Sequence, residues 1–305
     1  MDSRWFRWAR GLLGLAIIGY AIRFLVRNWE TVRSAPLEWQ LRPVPILASV
    51  ALIVATYGLL VESWRQMVIG WGVPLRFWPA ARVWVLSSMG KYLPGKVWAI
   101  AGMAVLGKEE GVPGWIATAS AIVLQIVSIG TGALVVAFTG SRVLEQANPG
   151  TRVALLGLIA LAVGSLAVLL WPAALTAILG RFVGKGTLTP RLGPVLIGVG
   201  ANAAAWLLYG VALYWLAAGV FPTARLSLVE AIGAFTASYL AGFLFLLAPG
   251  GFGVREMVFV LVTQSSLGPI HALALAGVSR LGMTAADLLA AAPFLRGKGK
   301  NYGTA

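Results

Sequence analysis

Hydrophobic positions in this chain run in long unbroken blocks, not in the stripes or alternations of a water-soluble fold. A helix needs about 20 apolar residues to cross a hydrocarbon core ~30 Å thick. Six stretches have that character: Gly11–Val26, Pro43–Val61, Trp115–Phe138, Val153–Leu179, Leu192–Val220 and Ile270–Leu289. They predict six full spans. The third to fifth hold no charged residue, and Arg23 lies near enough to the end of the first to reach the interface. Trp5, Trp8, Trp39, Trp64, Trp71, Trp115 and Trp171 fall near the expected ends, where an interfacial aromatic belt belongs. Asp2–Ala16 has the charged start of a signal sequence but no convincing small-x-small cleavage site, so an uncleaved first span is expected.

Two regions break the pattern. Phe77–Gly90 and Lys96–Gly107 are apolar but short, and Lys91-Tyr92-Leu93-Pro94-Gly95 separates them. Leu228–Leu247 is followed by Ala248-Pro249-Gly250-Gly251 and then by Phe252–Val262. Both read as helix pairs meeting at a Pro-Gly break inside the membrane, where irregular backbone must be covered by protein or water. The first arm of the second pair has the length to cross fully, which leaves its re-entrant status open. A shift of 155 residues lays Pro94-Gly95 on Pro249-Gly250, Pro43–Val61 on Gly198–Leu216, and Trp115 on Ile270. Each half (1–140 and 150–295) then holds three crossings and one broken pair, and an odd number of crossings inverts the second half. The expected fold is all-α: a polytopic membrane helix bundle of one integral domain, with about six full spans, two broken or re-entrant pairs and an inverted repeat.

Composition agrees. Of 305 residues, 59% are hydrophobic and 11% charged, against roughly 25% charged in soluble domains, which excludes a water-soluble enzyme. The net charge of +14 could suggest nucleic acid, but no basic run is dense enough for it, and loops facing anionic head groups account for the excess. Cysteine is absent and His271 is the single histidine, so no thiolate chemistry, metal site or cofactor is expected. With the N-terminus inside, twelve loop cations fall on the inner side and six on the outer. That places both termini in the cytoplasm and the chain in the plasma membrane.

The remaining cations, Arg23, Arg82, Lys91, Lys96, Arg255 and Arg280, lie in or beside apolar segments. A cation at bilayer depth costs about 2.5–3.5 kcal/mol even on the mild insertion scale, so each needs water, a carboxylate or an anionic ligand. Lys91 and Lys96 bracket the first break, and Arg255 follows the second. Helices opening at Pro94-Gly95 and Pro249-Gly250-Gly251 would aim free N–H groups at the same places. Helix N-termini with cations make an anion site, and in a membrane that anion is a lipid head group. Alternatively the cations are structural, with Arg255 paired to Glu256 or another carboxylate. Gly90–Lys96 fits GxxxxGK, but Val97 stands where a P-loop needs Ser or Thr, which rules out nucleotide binding. Arg280 and Asp287 lie two turns apart on one helical face, either in structural ion pairs, which other helices could complete, or lining the polar interior. Asn202 and Gln125 read as helix–helix hydrogen bonds, Glu62 and Arg65 as a surface pair, and Glu109-Glu110 as a solvated turn.

The Gly90-Lys-Tyr-Leu-Pro-Gly-Lys-Val-Trp98 and Ala248-Pro-Gly-Gly-Phe-Gly-Val-Arg-Glu256 segments, in this order, resemble the lysylphosphatidylglycerol synthase transmembrane region family, the flippase half of the multiple peptide resistance factor. The similarity runs from about Pro43 to Leu289. It implies a membrane protein that translocates aminoacylated or other anionic-backbone lipids, with Lys91, Lys96, Arg255, Glu256 and the Pro-Gly pairs at the motif positions. The chain ends about sixteen residues after its last span, so no lysyl-transferase activity is expected. No catalytic dyad is visible either, and the chain is not expected to be an enzyme. The leading expectation is a translocase for an anionic phospholipid, aminoacyl-phospholipid, glycolipid or polyprenyl-phosphate carrier. The alternative is a non-transporting scaffold or accessory subunit for a lipid-modifying or envelope-biosynthesis enzyme.

Overall fold

A computed structural model describes residues 40–92, 97–140, 149–182, 190–223, 225–245 and 251–295. Among these residues all regular structure is helical. The α-helices are α1 (Pro43–Gly70), α2 (Phe77–Ser88), α3 (Val97–Glu109), α4 (Gly114–Thr139), α5 (Pro149–Leu170), α6 (Pro172–Phe182), α7 (Leu192–Val220), α8 (Leu228–Leu244), α9 (Val254–Leu267) and α10 (Pro269–Leu295), with a 3-10 turn at Met89–Tyr92.

Four helices, α1, α4, α7 and α10, are long and apolar enough to cross a membrane. Their outward faces carry exposed Leu47, Phe138, Leu196, Ile197, Leu281 and Leu288. Such surfaces suit lipid, which solvates apolar side chains as readily as a protein core does. The chain is a multi-pass helical membrane protein.

The six-span expectation needs correction. Gly11–Val26 lies outside the described residues. Val153–Leu179 is not one straight span: α5 and α6 meet near Trp171, and the segments Ala160–Leu169 and Ala173–Arg181 are bent by 92°. Pro172 has no N–H to give the preceding turn, and its ring disfavours helical backbone at Trp171. The first arm of the second broken pair also falls short. α8 stops at Leu244 and has 17 residues, about 25 Å at 1.5 Å per residue. Ser227 and Glu230 open it with a reciprocal capping box.

The bundle is organised around α1 and α7, which run antiparallel. The N–H of Arg42 donates to the Gly219 carbonyl (2.9 Å), Ser63 Oγ to Gly198 O (2.8 Å), and the N–H of Arg191 to Gly70 O (2.8 Å). Gly198 permits the approach, since a Cβ there would lie 2.9 Å from Ser63 O. α4 and α10 flank this pair, α4 against α7 and α10 against α1.

The short helices form hairpins. A Cβ on Gly102 would meet Ser87 Cα at 3.2 Å, and one on Gly90 would meet Ala99 N at 2.8 Å, so α3 runs back along α2. α8 and α9 meet where Gly242 and Gly251 touch backbone to backbone. Shifted by 155 residues, α4 becomes 269–294, against Pro269–Leu295 for α10. α2 becomes 232–243, inside α8, and α3 becomes 252–264, against Val254–Leu267 for α9.

Trp64 is fully buried, and its indole N–H donates to Ser120 Oγ (3.0 Å). It joins the core instead of the interfacial belt, because a polar partner inside the bundle satisfies its N–H.

Candidate functional site

Charged residues from three parts of the chain converge near the two breaks. Lys91 and Tyr92 come from the 3-10 turn that follows α2, Arg255 and Glu256 from the first turn of α9, and Arg280 and Asp287 from α10. Pro94, Gly95, Lys96, Pro249 and Gly250 lie outside the described residues. Gly251 is buried at φ +69° against Gly242.

Asp287 is the most enclosed of these charges, with 4% of its side chain exposed. Three donors meet its carboxylate. Lys91 Nζ and the Tyr92 hydroxyl reach Oδ2 at 2.6 Å each, and the Tyr57 hydroxyl reaches Oδ1 at 2.6 Å. Tyr57 comes from the middle of α1, so the cluster ties the first break to α1 and α10. A carboxylate buried beside a cation and two hydroxyls keeps its charge compensated, as burial requires.

Glu256 has a different set of partners. Its Oε2 accepts the N–H of Gly253 (2.7 Å), which closes the N-terminus of α9, and its Oε1 pairs with Arg280. Arg280 and Asp287 share a helical face, and each forms an ion pair with another element, Arg280 with Glu256 of α9 and Asp287 with Lys91 of the 3-10 turn, as the structural reading of these two residues expects. The helix of the second arm begins at Val254, after Gly253 at φ +84°, and Glu256 folds back onto the Gly253 N–H.

Arg255 therefore does not pair with Glu256. Its guanidinium lies over the rings of Phe235 and Tyr239, 5.1 Å from each centroid, and Nη2 contacts Met283 Sδ at 2.9 Å. Among the described residues no carboxylate lies within ion-pairing distance of it. Cation–π contact stabilises such a group by about 0.5–2 kcal/mol without neutralising it. Tyr209 stacks on Phe235 at 4.7 Å and on Tyr239 at 6.4 Å, and Trp206 packs edge-on to Tyr239, so an aromatic wall backs the cation.

Other polar groups link helices or neighbouring residues. Thr131 Oγ1 donates to Asn202 Oδ1 (2.8 Å), and the Trp206 indole N–H lies 3.2 Å from both Ser128 O and Thr131 Oγ1. This bears out helix–helix bonding at Asn202. Arg65 forms a two-pronged pair with Glu62. Glu109 and Glu110 are not a simple solvated turn, since Arg82 binds both, at 2.8 and 2.6 Å, and clips the far end of α3 to α2. His271 packs edge-on to Phe221. Among the described residues no group of three or more His, Cys, Asp or Glu could hold a metal.

Sequence reasoning missed Tyr57, Tyr209, Phe235 and Tyr239. A phenol at mid-span is a usable signal, because its hydroxyl must find a partner inside the bundle. The stacking of Tyr209 on α8 depends on tertiary packing and leaves no local trace.

Comparison with protein-family models, curated proteins and solved structures finds no match for this chain.

Proposed function

We propose that this chain is a lipid translocase that handles an anionic head group, and a stand-alone member of the lysylphosphatidylglycerol synthase transmembrane region family. The observation that carries the reading is Arg255: a guanidinium lying over two aromatic rings, inside an apolar bundle, with no carboxylate within ion-pairing distance among the described residues. Such a cation is costly at bilayer depth unless an anion visits it. Lys91 and Arg280 stand nearby with their own carboxylates, so the cluster carries an excess positive charge. The head group would enter between the hairpins and meet this cationic cluster while its tails stay in the bilayer.

The antiparallel α1–α7 pair and the matching bounds of α2–α4 and α8–α10 support an inverted repeat. In this reading the two short hairpins are re-entrant and meet from opposite sides. Rocking of one half against the other would expose the cations to each leaflet in turn.

The test is transbilayer movement of a fluorescent anionic phospholipid in proteoliposomes. Wild type should accelerate it over empty vesicles, and Arg255→Gln and Lys96→Gln should abolish the acceleration while remaining monodisperse. Normal movement in both folded variants would refute the site.

A further inference from the structure

Resting on the head-group reading above, we propose that Asp287 is a built-in counter-ion occupying the place of the ligand's anionic oxygens. The cradle is Lys91 Nζ with the hydroxyls of Tyr92 and Tyr57. These three donors from two separate elements converge within 2.6 Å on one carboxylate. A phosphate presents oxygens of the same charge and similar geometry, and a lysine with hydroxyl donors binds either anion by the same charge-assisted hydrogen bonds.

The cradle is open on one side. The Lys91 side chain is 31% exposed, and Tyr92 lies on the 3-10 turn at the surface of the break. Asp287 reaches the donors from the buried side. A ligand arriving from the open side displaces the carboxylate, which would be left buried and uncompensated unless a second cation takes it. Arg255 is that cation. It touches Met283, one helical turn before Asp287 on α10, and has no carboxylate of its own among the described residues. Glu256 cannot exchange in this way, because Arg280 and the Gly253 N–H hold it together. Asp287 thus lowers affinity by competing with the ligand, and Arg255 receives it when the ligand binds. Tyr57 and Tyr92 become head-group ligands that the sequence alone did not name.

Competition by an internal group weakens binding by the fraction of time the cradle is free. Removing the charge of Asp287 while keeping its shape should therefore strengthen binding. The experiment measures affinity of the purified full chain in nanodiscs for phosphatidylglycerol, with phosphatidylcholine as the uncharged-net control and inorganic phosphate as the lipid-free probe. Asp287→Asn should bind phosphatidylglycerol about tenfold or more tighter than wild type, which corresponds to a cradle free about a tenth of the time. Lys91→Gln should lose binding, and Asp287→Asn should give no gain in the Lys91→Gln background. Asp287→Ser replaces Asn if that variant does not fold.

Equal or weaker binding by folded Asp287 variants, with Arg255→Gln still losing affinity, would overturn the counter-ion role and leave the head-group site standing. Phosphatidylglycerol binding unchanged by every variant would overturn both. Tight competition by inorganic phosphate alone, with no preference between the two lipids, would also overturn the head-group site.

Discussion

Gly251 is the position where a single methyl group tests the geometry of the second break. A Cβ there would lie 2.6 Å from Gly242 Cα and 2.8 Å from its carbonyl oxygen. Normal carbon–carbon contact is about 3.5–4.0 Å, so the α8–α9 hairpin must open by about 1 Å to admit alanine. Overpacking of this kind costs about 1–3 kcal/mol. The backbone adds its own term, because φ is +69° and a side chain in left-handed backbone costs roughly 1–2 kcal/mol. Gly251→Ala should therefore destabilise the protein by about 2–5 kcal/mol. Gly72 separates the two terms. Its φ is +83°, but nothing lies within 4 Å of its Cβ position, so Gly72→Ala should cost only the backbone term of about 1–2 kcal/mol. The assay is unfolding of both variants in mixed SDS micelles, followed by tryptophan fluorescence. Equal losses at Gly251 and Gly72 would refute the close backbone contact between α8 and α9, and with it the placement of Arg255.

Asp287→Ala should be more damaging than Arg82→Gln in the same assay. The first leaves the buried Tyr57 hydroxyl and the partly exposed Lys91 and Tyr92 without their acceptor, at about 1–3 kcal/mol, while the second breaks pairs with partly exposed glutamates (53% and 22% exposed) and should cost under about 1 kcal/mol. Trp206→Phe keeps a ring edge-on to Tyr239 but removes the indole N–H from Ser128 O and Thr131, and should cost about 1–2 kcal/mol in the same unfolding assay.

The long helices were legible because length and hydropathy are local properties. Pro43, Trp115, Leu192 and Ile270 mark the starts of α1, α4, α7 and α10 to within a residue. The expected breaks also fall between short helices, since Pro and Gly act on neighbouring backbone whatever the tertiary context. What failed depended on partners. Trp171-Pro172 has the apolarity of a span, and hydropathy does not register the bend. Trp64 reads as interfacial until Ser120 is placed beside it. Pairing was the least legible property. Glu256 is adjacent to Arg255 in sequence yet caps its own helix and meets Arg280, because its position three residues after Gly253 suits the cap. Asp287 finds Lys91 across 196 positions of chain, a pairing that no local pattern encodes.

The claim that the two breaks build one anion site is tested most directly by the lipids the protein retains. Native mass spectrometry of the detergent-purified chain, comparing wild type with Lys96→Gln and Arg255→Gln, should show a discrete anionic lipid on wild type and its loss from both variants. Wild type free of bound lipid, or the same lipid retained by both variants, would make these cations structural and contradict the account.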